Sequence, residues 1–344
     1  MTTSYANQYP WLNAPLSHLQ DRYQQGVLAH AYIVSGRRGL GKVKLIRDFA
    51  AALCCDKPVN GAPCGQCKSC ELTKQDSHPD VTSLVPKEPG KGLTVDQIRA
   101  LSSFVNRSSH AGGSRVAILS EAHTLNSSAA NALLKTLEEP HESTFLFLVT
   151  DQPGHLSATI RSRCQKLPIA TPSEQEALLW MSETSGENFN EKLARECLIV
   201  SHGAPLLALD YMNSGDLALR TAIDTTLIDV LLGRKQAEDL FAKLCALDAT
   251  LAAEQLVMAT INVSKALLTD NDESITYPEH YNPIKQLIDA GEEGAKKRAF
   301  YGSRALKLYE EAETARRQLS SASNPNPRLI LQSLAWLSSR AFRV

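Results

Sequence analysis

Gly36-Arg37-Arg38-Gly39-Leu40-Gly41-Lys42-Val43 joins His30-Ala31-Tyr32-Ile33-Val34-Ser35, which reads as a buried strand, to a segment with Ile46, Phe49, Ala50 and Leu53 at helical spacing. A glycine-rich turn between strand and helix lets backbone amides curl around phosphate oxygens. Gly36, Gly39 and Gly41 supply the turn here, and Lys42 is placed to neutralise the outer phosphates. The pattern then calls for Ser or Thr, whose hydroxyl binds magnesium. Val43 stands in that place, and an isopropyl group ligates no metal. The bland alternative is a turn that binds nothing.

Outward from this loop, Val81 to Val85, Val116 to Ser120 and Phe145 to Thr150 read as three further strands. Thr94 and Gln97 have capping-box spacing and open a helix through Phe104. Ser127 or Ser128 caps a second helix, with Ala130, Leu133, Leu134 and Leu137 on one face and Pro140 ending it. Strands alternating with helices indicate a mostly parallel sheet covered on both faces. Val116-Ala117-Ile118-Leu119-Ser120-Glu121 has the shape of the strand that presents Asp-Glu to magnesium and water, with Ser120 where the Asp belongs. Magnesium thus lacks both of its protein anchors, and the site reads as degenerate; Glu121 alone can equally be an ordinary residue at a strand end.

Beyond Ala170 the strand signals fade. Thr171-Pro172-Ser173-Glu174 reads as a linker that caps a helix, and Asn213-Ser214-Gly215-Asp216 as a second break. The remainder is helical, closing on a helix with Asn326 as cap, Pro327 in its first turn, then Leu329, Ile330, Leu334 and Leu337. These breaks divide the chain into an α/β domain over 1–170, a small helical lid over 171–214 and an all-α domain over 215–344.

Cys55, Cys64, Cys67 and Cys70 form C-x8-C-x2-C-x2-C across a loop containing Asn60, Gly61 and Pro63. Four thiolates at short spacing suit tetrahedral zinc, and closure by four sulfurs makes such a site structural. Cys54 competes for the first position but falls on the apolar face of the helix, four residues after Ala50. Cys197 and Cys245 sit in helical segments and read as small core residues. Four unrelated reduced cysteines are the alternative.

Bulk composition narrows the classes. A length of 344 residues suggests two or three domains. With 43 % hydrophobic and 21 % charged residues the chain is ordinary globular material, not a disordered one. Its 36 Lys and Arg against 37 Asp and Glu argue against a protein that lives by coating phosphate backbones. The polar start, Met1 to Pro10, has no signal-peptide core, and the strongest apolar run, Phe145 to Val149, is strand-sized, so no membrane role and a cytoplasmic, reducing compartment are expected.

Three segments carry a family resemblance: Cys55 to Cys70; Asn131-Ala132-Leu133-Leu134-Lys135-Thr136-Leu137-Glu138-Glu139-Pro140; and Thr159-Ile160-Arg161-Ser162-Arg163-Cys164. With the loop, they make the chain resemble the AAA+ clamp-loader subunits of bacterial DNA polymerase III. The tau/gamma subunits share most of these segments; decay of the nucleotide site favours the delta-prime branch. The resemblance implies a P-loop NTPase-like AAA+ domain with a zinc module over 55–70, a lid, and a C-terminal collar through which subunits assemble. It implies that Arg163, in the Ser-Arg-Cys turn, acts as an arginine finger in the ATP site of a neighbouring tau/gamma subunit; pairing with a local carboxylate is the alternative. Thr150 matches the polar sensor beside the γ-phosphate. Gly203-Ala204-Pro205-Leu206 puts Leu206 where active members carry an arginine. The partners implied are tau/gamma and delta, the sliding clamp indirectly, and primer-template DNA through the complex. Zn(2+) is the structural cofactor, while ATP binding is left in doubt. Nothing resembles a polymerase active site, even though the holoenzyme is a DNA-directed DNA polymerase. Two rivals stand: a working tau/gamma-type ATPase, and a stand-alone zinc-dependent nucleic-acid-binding module, the latter weakened by near-neutral charge and 6 % aromatics.

Overall fold

The computed structural model describes residues 9–59, 61–87, 92–107, 113–141, 143–269, 275, 278–288, 292–319 and 325–343. Most of the polar start (1–8) and Asn60 of the cysteine loop lie outside these. The chain divides into two compact units, Met1–Asp210 and Tyr211–Val344.

The first unit is built on β1 (Ala31–Ser35), β2 (Val81–Leu84), β3 (Arg115–Leu119), β4 (Thr144–Thr150) and β5 (Gln165–Pro168), all parallel, in the order β2-β3-β4-β1-β5. β1, β3 and β4 are apolar on both faces, as a sheet covered on both sides requires. Around them lie α1 (Asn13–Gln24), α2 (Lys42–Leu53), α3 (Lys68–Lys74), α4 (Val95–Val105), α5 (Ser127–Glu138) and α6 (Ala158–Arg163), followed by α7 (Glu174–Ser185), α8 (Glu191–Val200) and α9 (Pro205–Ser214), whose last residues, from Tyr211, belong to the second unit. Ile33, Leu101, Leu119, Leu133, Leu148 and Ile160 meet in one core on the α4–α5 side.

Local sequence sets most of the helix ends. The capping box at Thr94 and Gln97 is made, with Gln97 also donating to the Val85 carbonyl at 2.8 Å. Ser173 caps α7 as read from the linker. The cap of α5 is Asn126, not Ser127 or Ser128: its Oδ1 accepts from Ala129 N at 2.8 Å, and Ser127 is already helical. Strand β5 escaped prediction because Gln165, Lys166 and Pro168 are exposed; only Leu167 turns inward, as on an edge strand.

The second unit is helical: α10 (Asp216–Leu231), α11 (Ala237–Leu244), α12 (Ala249–Leu268), α13 (Asn282–Lys285), α14 (Glu292–Leu319) and α15 (Pro327–Ala341). Asn326 caps α15 through Arg328 N at 3.1 Å, with Pro327 in the first turn. Leu331, Leu334 and Ala335 face the core, whereas Leu329 is 62 % and Leu337 39 % exposed, so the predicted apolar face is only partly buried. Cys245 ends α11 and is exposed; Cys197 is buried. Inside the bundle Asp224 accepts from Gln255 Nε2 at 2.7 Å and from the Tyr281 hydroxyl at 3.4 Å, while Arg220 Nη1 donates to Gln255 Oε1 at 3.0 Å. Among the described residues no helix is long and apolar enough to cross a membrane.

Candidate functional site

The sheet order puts the ends of β1, β4 and β3 side by side, with Ser35 paired to Thr150 across β1 and β4. The glycine loop, Thr150 and Ser120-Glu121 therefore converge at the carboxyl edge of the sheet, where open α/β folds bind ligands.

The loop holds the Lys42 ammonium against its own backbone. Gly39 and Gly41 sit at φ +81° and +80°, the left-handed region that glycine tolerates. Lys42, only 8 % exposed, donates from Nζ to the carbonyls of Gly36 and Arg37, both at 2.7 Å. Burial lowers its pKa to about 8, opposed by the nearby charge of Asp151. The first turn of α9 lies against the loop: Leu206 N donates to the Gly39 carbonyl at 3.2 Å, and a Cβ on Gly39 would stand 2.8 Å from Leu207 N. From the other side Trp11 Nε1 donates to the Leu40 carbonyl at 2.9 Å, and Trp11 packs edge-on to Trp180 with centroids 5.3 Å apart.

Ser120 is buried and its hydroxyl has no hydrogen-bond partner among the described residues; Glu121 is exposed, at φ +52°. Thr150 is buried, accepting from Gln152 N at 3.0 Å and lying 3.2 Å from His123 Nδ1. His123 Nδ1 is also 3.2 Å from Asp151 Oδ1. Sequence reading missed this His123–Asp151 pair, since neither residue belongs to a motif and only the β3–β4 pairing brings them together. Of the basic residues flanking the loop, Lys44 pairs with Asp48 at 2.5 Å and Arg47 with Asp76 at 3.3 Å, while Arg37 and Arg38 are exposed.

The four cysteines of the spacing motif do come together. The sulfurs of Cys55, Cys64, Cys67 and Cys70 all lie within 4.8 Å of one another, with 3.9 Å between Cys55 and Cys67 and 4.0 Å between Cys64 and Cys70. A tetrahedron of thiolates at the ~2.3 Å zinc–sulfur distance has edges of about 3.8 Å. The donor set therefore fits one tetrahedral ion and leaves it no open position. Amide hydrogen bonds from Gln66 and Cys67 lower the Cys64 pKa to about 6, while burial raises Cys55 and Cys70. Cys67 caps α3, and Gln20 of α1 anchors the loop by donating to the Gly61 carbonyl at 2.7 Å. Cys54 stays outside the cluster: its thiol points to the Ser114 carbonyl at 3.7 Å, and burial lifts its pKa to about 12.

Arg163 ends α6. Its Nη1 donates to the Thr159 carbonyl at 3.1 Å, and its Nη2 pairs with Glu138 Oε1 at 2.7 Å. Its side chain remains 35 % exposed. The local-carboxylate pairing foreseen as an alternative is thus present. It does not consume the guanidinium, which offers five donors.

A family model described as "DNA polymerase III, delta subunit" matches residues 11–173. The DNA polymerase III subunit delta-prime of Pseudomonas aeruginosa is 31 % identical over 335 residues, covering 97 % of this chain and 98 % of that one. The Escherichia coli subunit of the same name is 38 % identical over 201 residues, 58 % of this chain and 60 % of that one. The tau/gamma subunit of Haemophilus influenzae is 37 % identical over 147 residues, 43 % of this chain and 21 % of that one. Among solved structures, a gamma subunit-related protein of Thermotoga maritima aligns at a TM-score of 0.42 with 17 % identity, covering 96 % of this chain and all of that one. With a relative matched from end to end, the chain belongs to the family of DNA polymerase III delta-prime subunits.

Proposed function

We propose that this chain is a clamp-loader subunit that hydrolyses no ATP of its own and lends Arg163 to the triphosphate site of a neighbouring tau/gamma subunit. The observation that carries the reading is the state of the glycine loop. Lys42 spends its ammonium on Gly36 and Arg37, Leu206 N is bonded to the Gly39 carbonyl, and Leu207 packs against Gly39. Val43 and Ser120 supply no magnesium ligands, and Leu206 replaces the lid arginine of active members. These features support a loop kept as architecture. A working tau/gamma-type motor would need the loop open and both metal anchors restored.

Arg163 supports the second half. A planar, permanently charged fork at the end of a short helix suits the non-bridging oxygens of a transferred phosphoryl group. Fingers of this kind contribute ~10³–10⁵ in rate. In this reading residues 1–170 form the AAA+ domain, 171–214 the lid and 215–344 the collar, and tau/gamma and delta are the neighbours. The sliding clamp and primed DNA are engaged through the assembly. Cys55, Cys64, Cys67 and Cys70 hold zinc, which braces the loop and supplies no chemistry to the reaction.

The test is ATPase turnover of a loader reconstituted with Arg163→Ala. Turnover should fall by on the order of 10³-fold while the subunits still co-elute. Unchanged turnover in an intact assembly removes the finger.

A further inference from the structure

We propose that Glu138 is the positioning residue for Arg163, aiming the guanidinium out of α6 before any partner arrives. This rests on the finger reading above and adds the residue that orients it.

Both ends of the pair are held. Leu137, beside Glu138, is in the core, and Thr136 is buried with its hydroxyl 2.9 Å from Ser102 Oγ, so the last turn of α5 has little freedom. Ile160 is fully buried and Ser157 caps α6 through Ile160 N at 3.3 Å, which fixes the six-residue helix that carries Arg163. Between these anchors the guanidinium is held on two sides. Nη1 goes to the Thr159 carbonyl and Nη2 to Glu138. Neither contact buries it, so donors are left for an incoming anion.

The placement of Glu138 is a second, independent observation. A carboxylate in the last turn of a helix sits at the negative end of the dipole, where helix energetics favour a cation. Its presence there is offset by Arg163. Arg161, two residues before Arg163, is exposed and takes no carboxylate partner among the described residues. The carboxylate thus selects one arginine of the turn. A half-exposed ion pair is weak enough in water to yield when phosphate oxygens compete for the same fork. Its effect is to remove rotamer freedom that binding would otherwise have to quench.

The experiment is a double-mutant cycle in the reconstituted loader, measuring kcat and KM for ATP together with assembly. Glu138→Gln should lower kcat roughly tenfold, leave KM and assembly near wild type, and have no further effect in an Arg163→Ala background. Glu138→Asp should recover part of the loss. An equal loss in the Arg163→Ala background would make Glu138 merely structural and overturn the proposal. So would an unchanged or increased kcat in Glu138→Gln while Arg163→Ala remains crippled; the finger would then stand without its guide. If Arg163→Ala itself leaves turnover intact, it is the underlying reading that fails.

Discussion

Lys42, by the spacing of the glycine loop, and Arg163, by family resemblance, are the two cations of the first unit expected to meet phosphate, and the fold treats them in opposite ways. Lys42 is 8 % exposed and turned back onto two carbonyls of its own loop. Arg163 stands at a helix end with its side chain 35 % exposed and a weak partner. An ammonium withdrawn from water must find acceptors nearby, and here the carbonyls of Gly36 and Arg37 serve. A guanidinium at the rim keeps water and spare donors. In the proposed reading the Lys42 ammonium is committed to its own loop, while Arg163 keeps donors for a neighbour.

The comparison can be broken most easily at Arg163. Arg163→Lys keeps the charge and removes the planar fork; loader turnover should fall by on the order of 10²-fold or more. Wild-type turnover would mean that charge alone matters, and that Lys42 and Arg163 differ in exposure only.

A second test uses the cysteine cluster, where the motif is intact and the donors converge. Cys67→Ser should abolish stoichiometric metal in elemental analysis and lower the melting temperature by about 5 °C or more, as removal of a structural ligand does. Retained metal would place the ion elsewhere.

Burial of a charge can be followed in the second unit as well. Asp224, raised to about 7 by burial against the opposing hydrogen bonds of Gln255 and Tyr281, keeps a proton in the folded state that it loses when unfolded. Between about pH 4 and pH 7 the folded state binds more protons, so this group's contribution to stability is present at low pH and declines as pH rises. For Lys42 the direction reverses: its contribution improves as pH rises from about 8 towards the ordinary lysine range. Asp224→Asn should flatten the first slope and melt a few degrees higher than wild type near pH 8. An unaltered pH profile would exclude Asp224 as its source.

Smallest of all should be the effect of restoring the metal anchors. Val43→Thr with Ser120→Asp should yield no measurable ATP turnover by the purified chain, because Leu206 and Leu207 still pack on Gly39 and Lys42 still bonds its own loop. Appreciable turnover would contradict the proposal that the packing around Gly39 and Lys42 keeps this chain from hydrolysing ATP.

Much of this was legible in the linear pattern because it is local. The strand–turn–helix around Lys42, the Thr94–Gln97 box, the Ser173 and Asn326 caps and the four-cysteine spacing all depend on neighbours within a few residues. What could not be read depends on distant chain segments. Trp11 reaches Leu40 across 29 residues, His123 reaches Thr150 across 27, and Glu138 meets Arg163 only because α5 and α6 pack together. Strand β5 is hidden for a different reason: an exposed edge needs only one inward apolar residue, Leu167, which leaves no periodicity to detect. Leu329 and Leu337 mislead in the opposite sense, since apolar spacing marks a helix without saying what covers it.

The proposed division of labour between the Lys42 loop and Arg163 is tested most directly by titrating the purified chain with magnesium-ATP and following heat and phosphate release together. The proposal predicts no saturable uptake into the millimolar range and no phosphate released above the protein-free rate. Stoichiometric uptake accompanied by magnesium-dependent turnover would contradict it.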